Sequence, residues 1–329
     1  MRPRVVLTHW VHPEVMTLLG QECEVVGNPT RETLPREEVL RRCADARGVM
    51  VFMPDHVDEA FLAAGPHLRV IAAALKGYDN CDVSACTRRG VWLTIVPDLL
   101  SAATAELTVA LLLSLSRHIL EGDRLVRGGS FAGWRPILYG AGLARRTVGL
   151  VGMGAIGQAV ARRLAGFDTH LLYSDPKPQT PATQNGWNAE RVELPVLFER
   201  SDFVVLLTPL TRATLHLINR ATLATFKPGS YLINTGRGSV VDEEAVAEAL
   251  AAGRLAGYAA DVFALEDWAR PDRPRRIPQA LLDDPSRTLF TPHLGSAVDD
   301  VRRDIALAAA HDILRAFRGE VPGGAVNRL

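Results

Sequence analysis

The chain has 329 residues, 47% hydrophobic and 22% charged, an ordinary globular composition. At roughly 150 residues per domain, that length suits about two domains. Its 37 basic and 37 acidic residues cancel, which argues against a nucleic-acid or acidic-membrane partner held by bulk charge.

The opening residues, MRPRVVLTHW, read as a strand and not as a cleavable leader. Over the first hundred residues, short apolar runs at 4–8, 23–27, 49–53, 68–75 and 91–96 alternate with amphipathic stretches such as 33–44 and 58–64. That alternation predicts parallel βαβ units. A helical pattern follows at 104–120, with Ser101 or Thr104 as its candidate cap. Its apolar residues surround it nearly completely, so it is expected to lie buried between domains or subunits. The Gly- and aromatic-rich segment 127–143 reads as an ordered arm. A second α/β series has strand candidates at 147–151, 169–174, 203–208, 231–234, 257–262 and 288–290, with helices including 155–165 and 243–252. The tail, 297–318, predicts one amphipathic helix. The best membrane candidate, 107–115, is too short to span a bilayer and is flanked by Glu106, Arg117 and His118. Four scattered cysteines (Cys23, Cys43, Cys81, Cys86) without a CxxC pair suggest neither a disulfide framework nor a metal site. The chain is therefore expected in the cytoplasm, with no membrane or nucleic-acid partner.

Residues 147–157, TVGLVGMGAIG, place Gly152-x-Gly154-x-x-Gly157 between an apolar strand and a helix. The first Gly permits the tight turn, the second lets backbone approach a pyrophosphate, and the third lets helix and strand pack closely. The helix N-terminus offers free N–H groups to the phosphates. Asp175, at the end of LLYSD, lies where a carboxylate suits the ribose hydroxyls of NAD and repels a 2′-phosphate. Pro176 and Lys177 follow it, so NAD is the expected cofactor, with weaker NADP use open.

Two residues further on carry chemistry in their own right. Arg237 follows an apolar strand in a Gly-flanked loop, TGRGS, where its planar fork can bind an oxyanion bidentately. His293 follows Thr291-Pro292 at a strand end, and an imidazole there can exchange a proton near neutral pH. The order GMGAIG, Asp175, LLTPLTRATLHLIN (206–219), INTGRGSVVDEEAV (233–246), GYAADVF (257–263) and TPHLG (291–295) resembles the D-2-hydroxyacid dehydrogenase family over essentially the whole chain. The resemblance implies an α/β fold of two Rossmann-like, doubly wound parallel-sheet domains with the active site in the cleft between them. A substrate domain would comprise 1–100 plus 293–329. An NAD-binding domain would comprise 101–292, including a dimerisation helix and arm at 101–146, in a homodimer. It assigns catalysis to Arg237, Glu266 and His293, with Glu266 orienting the imidazole; Asp267 is adjacent, but the spacing DVFALE favours Glu266. It implies cofactor contacts for Thr104, Gly152, Gly154, Ala155, Ile156, Gly157, Asp175, Thr208, Pro209, Thr235 and Asp261.

The substrate question turns on an imbalance among the cations: three Lys (Lys76, Lys177, Lys227) against 34 Arg. Lys76 sits in AALKGYDN, just after the fourth strand candidate, in a Gly loop that in the family touches substrate and cofactor. With Arg237, and Arg302 near the start of the last helix, it would bring three cations to one small ligand, which suits a dianion better than formate or lactate. FMPD (52–55), LKG (75–77), GWRPxxYG (133–140), EDWAR (266–270), HxGSAV (293–298) and the ending AVNRL resemble the phosphonate (phosphite) dehydrogenase branch of the family. That resemblance implies substrate-site roles for Met53, Lys76, Gly77, Arg237, Ser296 and Arg302, and for Trp134 and Tyr139 from the arm, where they could reach a partner subunit's site. The expected reaction is oxidation of phosphite to phosphate, with His293 the first candidate to take the proton of the attacking water and Arg237 or Arg302 the alternative for positioning that water. The alternatives are a 2-hydroxyacid dehydrogenase or glyoxylate/hydroxypyruvate reductase using the same trio and, more remotely, an NAD-sensing corepressor-like binding protein.

Overall fold

The computed structural model describes residues 2–179 and 187–329. The chain divides into two compact units. The first comprises 1–100, 268–271 and 297–329; the second comprises 101–267 and 272–296.

In the first unit, β1 (Arg4–Leu7), α1 (Pro13–Gly20), β2 (Glu24–Val26), α2 (Arg36–Cys43), β3 (Gly48–Val51), α3 (Glu59–Ala64), β4 (Val70–Ala73), α4 (Val83–Arg88) and β5 (Trp92–Thr94) alternate as the apolar runs predict. They build a parallel sheet in the order β2-β1-β3-β4-β5. β3 and β4 are buried at every position, as strands with helices on both faces must be. Asp58 and Asp82 cap α3 and α4 by accepting the backbone N–H groups of Phe61 and Ala85.

The second unit holds α5 (Ser101–Ser116), α6 (Ile119–Arg127), β6 (Thr147–Val151), α7 (Ala155–Leu164), β7 (His170–Ser174), β8 (Ala189–Arg191), α8 (Leu194–Arg200), β9 (Phe203–Leu206), α9 (Arg220–Thr225), β10 (Ser230–Asn234), α10 (Glu243–Ala251), β11 (Leu255–Ala260), α11 (Gln279–Leu282) and β12 (Thr288–Phe290). Its seven-stranded parallel sheet runs β12-β11-β10-β9-β6-β7-β8. The strand order reverses between β6 and β9, the switch point at which open α/β sheets bind ligands beyond their carboxyl ends. One core cluster joins α5 and α7 to Val148, Leu150 and Phe203; a second joins α8 and α10 to Val151, Val204 and Leu232. The last helix, α12 (Asp299–Phe317), belongs to the first unit and packs on α1, β3 and β4.

Two departures from the sequence reading have local causes. β8 has the sequence AER, too short and polar to register as an apolar run, and it forms an edge strand. The expected helix 104–120 stops at Ser116 because His118 adopts φ 51°, and α6 leaves at 64° to α5. The arm beyond it contains no regular element, and no single helix among the described residues is long and apolar enough to cross a membrane.

Candidate active site

The carboxyl ends of β6, β7, β9, β10 and β11 in the second unit carry most of the expected cofactor residues. After β6, Gly152 takes φ 101°, a conformation that favours glycine. A Cβ on Gly157 would lie 2.4 Å from the Gly152 carbonyl oxygen, so helix and turn can approach only without one. Gly154 is the N-cap of α7 and supplies no capping side chain; an added Cβ there would meet open space. The first N–H groups of α7, from Ala155 and Ile156 onward, are thus available to a phosphate. Asp175 follows β7, and its carboxylate accepts the N–H groups of Met153 and Lys177, both at 2.8 Å. Arg191, which the sequence reading passed over, donates to the Asp175 carbonyl oxygen at 3.0 Å and so sets a guanidinium beside that residue.

Thr208 and Pro209 follow β9. The Thr208 hydroxyl is buried without a hydrogen-bond partner among the described residues, and a Cβ on Gly236 would lie 2.7 Å from the Thr208 carbonyl oxygen. Thr235, after β10, shares a 2.8 Å hydrogen bond with Thr108, whose hydroxyl also bonds the Thr104 carbonyl oxygen. Thr104 in turn donates to the Gly295 carbonyl oxygen. A tight glycine turn, a ten-residue helix without a capping side chain, an acid after the next strand and a hydroxyl with no partner among the described residues together fit an NAD dinucleotide.

The three residues expected to carry catalysis lie in three loops of the same unit. Arg237 is the N-cap of a short 3-10 turn, Gly238–Val240, and donates to the Gly236 carbonyl oxygen at 3.0 Å. Asn234 braces this loop, accepting the Gly236 N–H and donating to the Arg237 carbonyl oxygen. A Cβ on Gly238 would stand 1.8 Å from the Phe263 carbonyl carbon, so the Arg237 loop touches the backbone of the next loop directly. Asp267 ties the same two loops by accepting the Ser239 N–H at 2.8 Å. In the second loop, Glu266 ends the 3-10 turn Ala264–Glu266; its Oε1 accepts the Phe263 N–H and its Oε2 receives His293 Nδ1, both at 2.8 Å. With Nδ1 so engaged, Nε2 is the nitrogen left for proton exchange with a substrate.

His293 itself adopts φ 56°. Asp261 builds the turn that holds it. Its Oδ1 accepts from Thr291 Oγ1 and Leu294 N, and its Oδ2 accepts from Gly295 N. Burial pushes the Asp261 carboxyl up, and those donors pull against it. Expected at the cofactor, Asp261 thus has its carboxylate engaged in placing the imidazole. Ser296 directly follows this turn and is half-buried.

In the first unit, Lys76 follows β4 and pairs with Asp98 at 3.2 Å, a counter-ion the sequence reading did not foresee. Gly77 is half-buried, and Met53 packs at the edge of the first unit's core. Arg302, in the first turn of α12, donates weakly to the Ala74 carbonyl oxygen at 3.4 Å, and its guanidinium stands 5.6 Å from the Phe52 ring. Burial lowers its pKa. His9, set aside in the sequence, packs on the same ring at 5.2 Å. Burial lowers its pKa, Asp55 opposes the fall, and Arg302 adds to it. A cavity of about 300 Å³ opens here, lined by Trp10, His12, Arg31, Phe52, Val298 and Arg302. Trp134 and Tyr139 stand out from the arm, 84% and 77% exposed.

The NAD-binding domain model of the D-isomer specific 2-hydroxyacid dehydrogenases matches residues 109–295. A glyoxylate reductase from Thermofilum pendens is 37% identical over 99% of this chain and 95% of its own length. One from Pyrococcus furiosus is 35% identical over 100% and 96%. Among solved structures, the TT0316 protein of Thermus thermophilus superposes with a TM-score of 0.87 at 35% identity, covering 98% of this chain and all of that one. An NADPH-dependent glyoxylate/hydroxypyruvate reductase from Sinorhizobium meliloti, solved with NADP and malonate, gives 0.85 at 30% identity, covering 99% and 97%. The expected phosphite branch finds no echo in these names, which point to the hydroxyacid alternative.

Proposed function

The chain belongs to the D-isomer specific 2-hydroxyacid dehydrogenase family, and from that premise we propose that it reduces glyoxylate or a similarly small 2-oxo acid to the 2-hydroxy acid, reversibly. The observation that carries this reading is the 2.8 Å contact between His293 Nδ1 and Glu266 Oε2 in the unit that holds the dinucleotide turn. In the reductive direction the nicotinamide supplies a hydride to the carbonyl carbon. His293 gives its proton to the oxygen that becomes the hydroxyl, and Glu266 balances the imidazolium beforehand. Arg237 holds the carboxylate and polarises the carbonyl. The family resemblance supports substrate-binding roles for Lys76, the Gly77 amide, Met53 and Ser296. Overall, glyoxylate, NADH and a proton give glycolate and NAD. Glycine at 152, 154 and 157, with Asp175, supports NAD as the preferred cofactor. Arg191 and Lys177 support residual NADP use, and a higher kcat/KM with NADPH would overturn the role given to Asp175. We further propose a cytoplasmic homodimer in which a second copy covers the arm with its exposed Phe131, Trp134 and Tyr139.

A second reading, phosphite oxidation, is favoured by one observation: a half-buried Arg302 on Phe52 beside the Lys76 loop offers more positive charge than a monocarboxylate needs. In it, phosphite, water and NAD give phosphate, NADH and a proton, with His293 taking the water proton. The Asp98 pairing offsets part of that charge, which is why the hydroxyacid reading stands first. One set of assays separates them: NADH consumption with glyoxylate and hydroxypyruvate, and NADH formation with phosphite, D-lactate and D-glycerate. Turnover of glyoxylate with no signal from phosphite is the expected result; the reverse pattern would overturn it in favour of phosphite.

A further inference from the structure

One buried carboxyl beside the trio has no part in the proton exchange described above. Glu243 is the first residue of α10 and is only 5% exposed. Helix initiation does not require it to be buried. Asp242 already caps α10 by accepting the Ala245 N–H, and the exposed Glu244 supplies an acid to the first turn. Burying a carboxyl is costly unless it is satisfied. Glu243 Oε1 accepts the Ala264 N–H at 2.8 Å, while Oε2 is buried without a hydrogen-bond partner among the described residues. Ala264 opens the very turn that Glu266 closes. Two further contacts, Asp267 on the Ser239 N–H and the bare Cα of Gly238 against Phe263, press the same turn onto the Arg237 loop.

We propose that Glu243 is a positioning residue for the acid–base pair: by holding the Ala264 amide it fixes the turn that aims Glu266 at His293. Burial pushes the Glu243 carboxyl up to about 7, against the pull of the Ala264 N–H, with Asp267, Glu266 and Glu244 adding to the rise. A carboxyl kept in so costly a place accepts a hydrogen bond from the Ala264 amide, and that amide belongs to the turn that carries Glu266.

The inference rests on the dehydrogenase reading, and its test has an arm that does not. Glu243→Ala is expected to lower kcat about tenfold or more and to leave KM for NADH within about twofold, whereas Glu243→Gln, which keeps an acceptor for Ala264, restores kcat to within about threefold of the parent. In a Glu266→Gln background, Glu243→Ala should cost less than about twofold more, because its effect passes through Glu266. An equal loss in both backgrounds, or full activity of Glu243→Ala, overturns the proposal. Ala264→Pro removes the donor and not the acceptor, at a first-turn position proline tolerates; it should reproduce the kcat loss and serves if Glu243→Ala does not fold. Amide hydrogen exchange over 261–268 should rise about tenfold in either variant while β6 is unchanged. Unchanged exchange there overturns the clamp even if no substrate is turned over, so a failure of the dehydrogenase reading remains distinguishable.

Discussion

The trio in the second unit and the cations of the first are held in opposite ways. Around Arg237, Glu266 and His293, most restraints have a backbone group at one end: the Asn234 amide on the Arg237 loop, the Phe263 N–H on Glu266, and the Asp261 carboxylate on the Leu294 and Gly295 N–H groups of the His293 turn. The restraints on Lys76 and Arg302 include an ion pair to a largely exposed Asp98, a long hydrogen bond and a ring face. Backbone restraints fix geometry to within a few tenths of an ångström, while surface-side charges can exchange partners. On the proposed function, the difference would give proton chemistry to the rigid region and anion choice to the adjustable one.

The sharpest break would come from His293→Ala. It is expected to cut kcat by about a thousandfold while leaving the Kd for NADH, read by fluorescence, unchanged; substantial surviving turnover would remove His293 from the rigid machinery. Next is Glu243→Gln, read as stability against pH. The raised native carboxyl binds a proton that the unfolded chain releases, so wild-type stability is lost as pH climbs from the ordinary carboxyl range to about 7 and is level above it. The Gln variant should therefore be more stable by about 3 kcal/mol at pH 8 and by almost nothing at pH 4, measured by urea unfolding. In the adjustable region, Lys76→Met should raise KM for the substrate anion by about tenfold with a smaller change in kcat. Asp98→Asn should act oppositely and weakly, lowering that KM about twofold at low salt, because it releases Lys76 from its pair. If Lys76→Met instead lowered kcat and left KM alone, the division between the two regions would collapse.

What could be read in the sequence was whatever depends on local pattern. The Gly152–Gly157 turn, the alternation of strands and helices, and the loops bearing Arg237 and His293 all follow from residues within a few positions of one another. Partners that meet only in space were invisible. Asp98 is 22 residues from Lys76, Glu243 is 21 from Ala264, and Asp261 is 34 from Gly295. β8 escaped because an exposed edge strand needs little hydrophobicity, and the bend at His118 because a left-handed histidine has no sequence signal. The three-cation argument overreached for the same reason: counting charges along a chain does not reveal which already have counter-ions.

His293 holds φ 56°, where a side chain with a Cβ is strained by about 1 kcal/mol or more and glycine is at ease. The fold would therefore prefer something other than the residue its chemistry demands. His293→Gly should melt at a higher temperature than the parent and turn nothing over, a trade of robustness for reactivity confined to one dihedral angle.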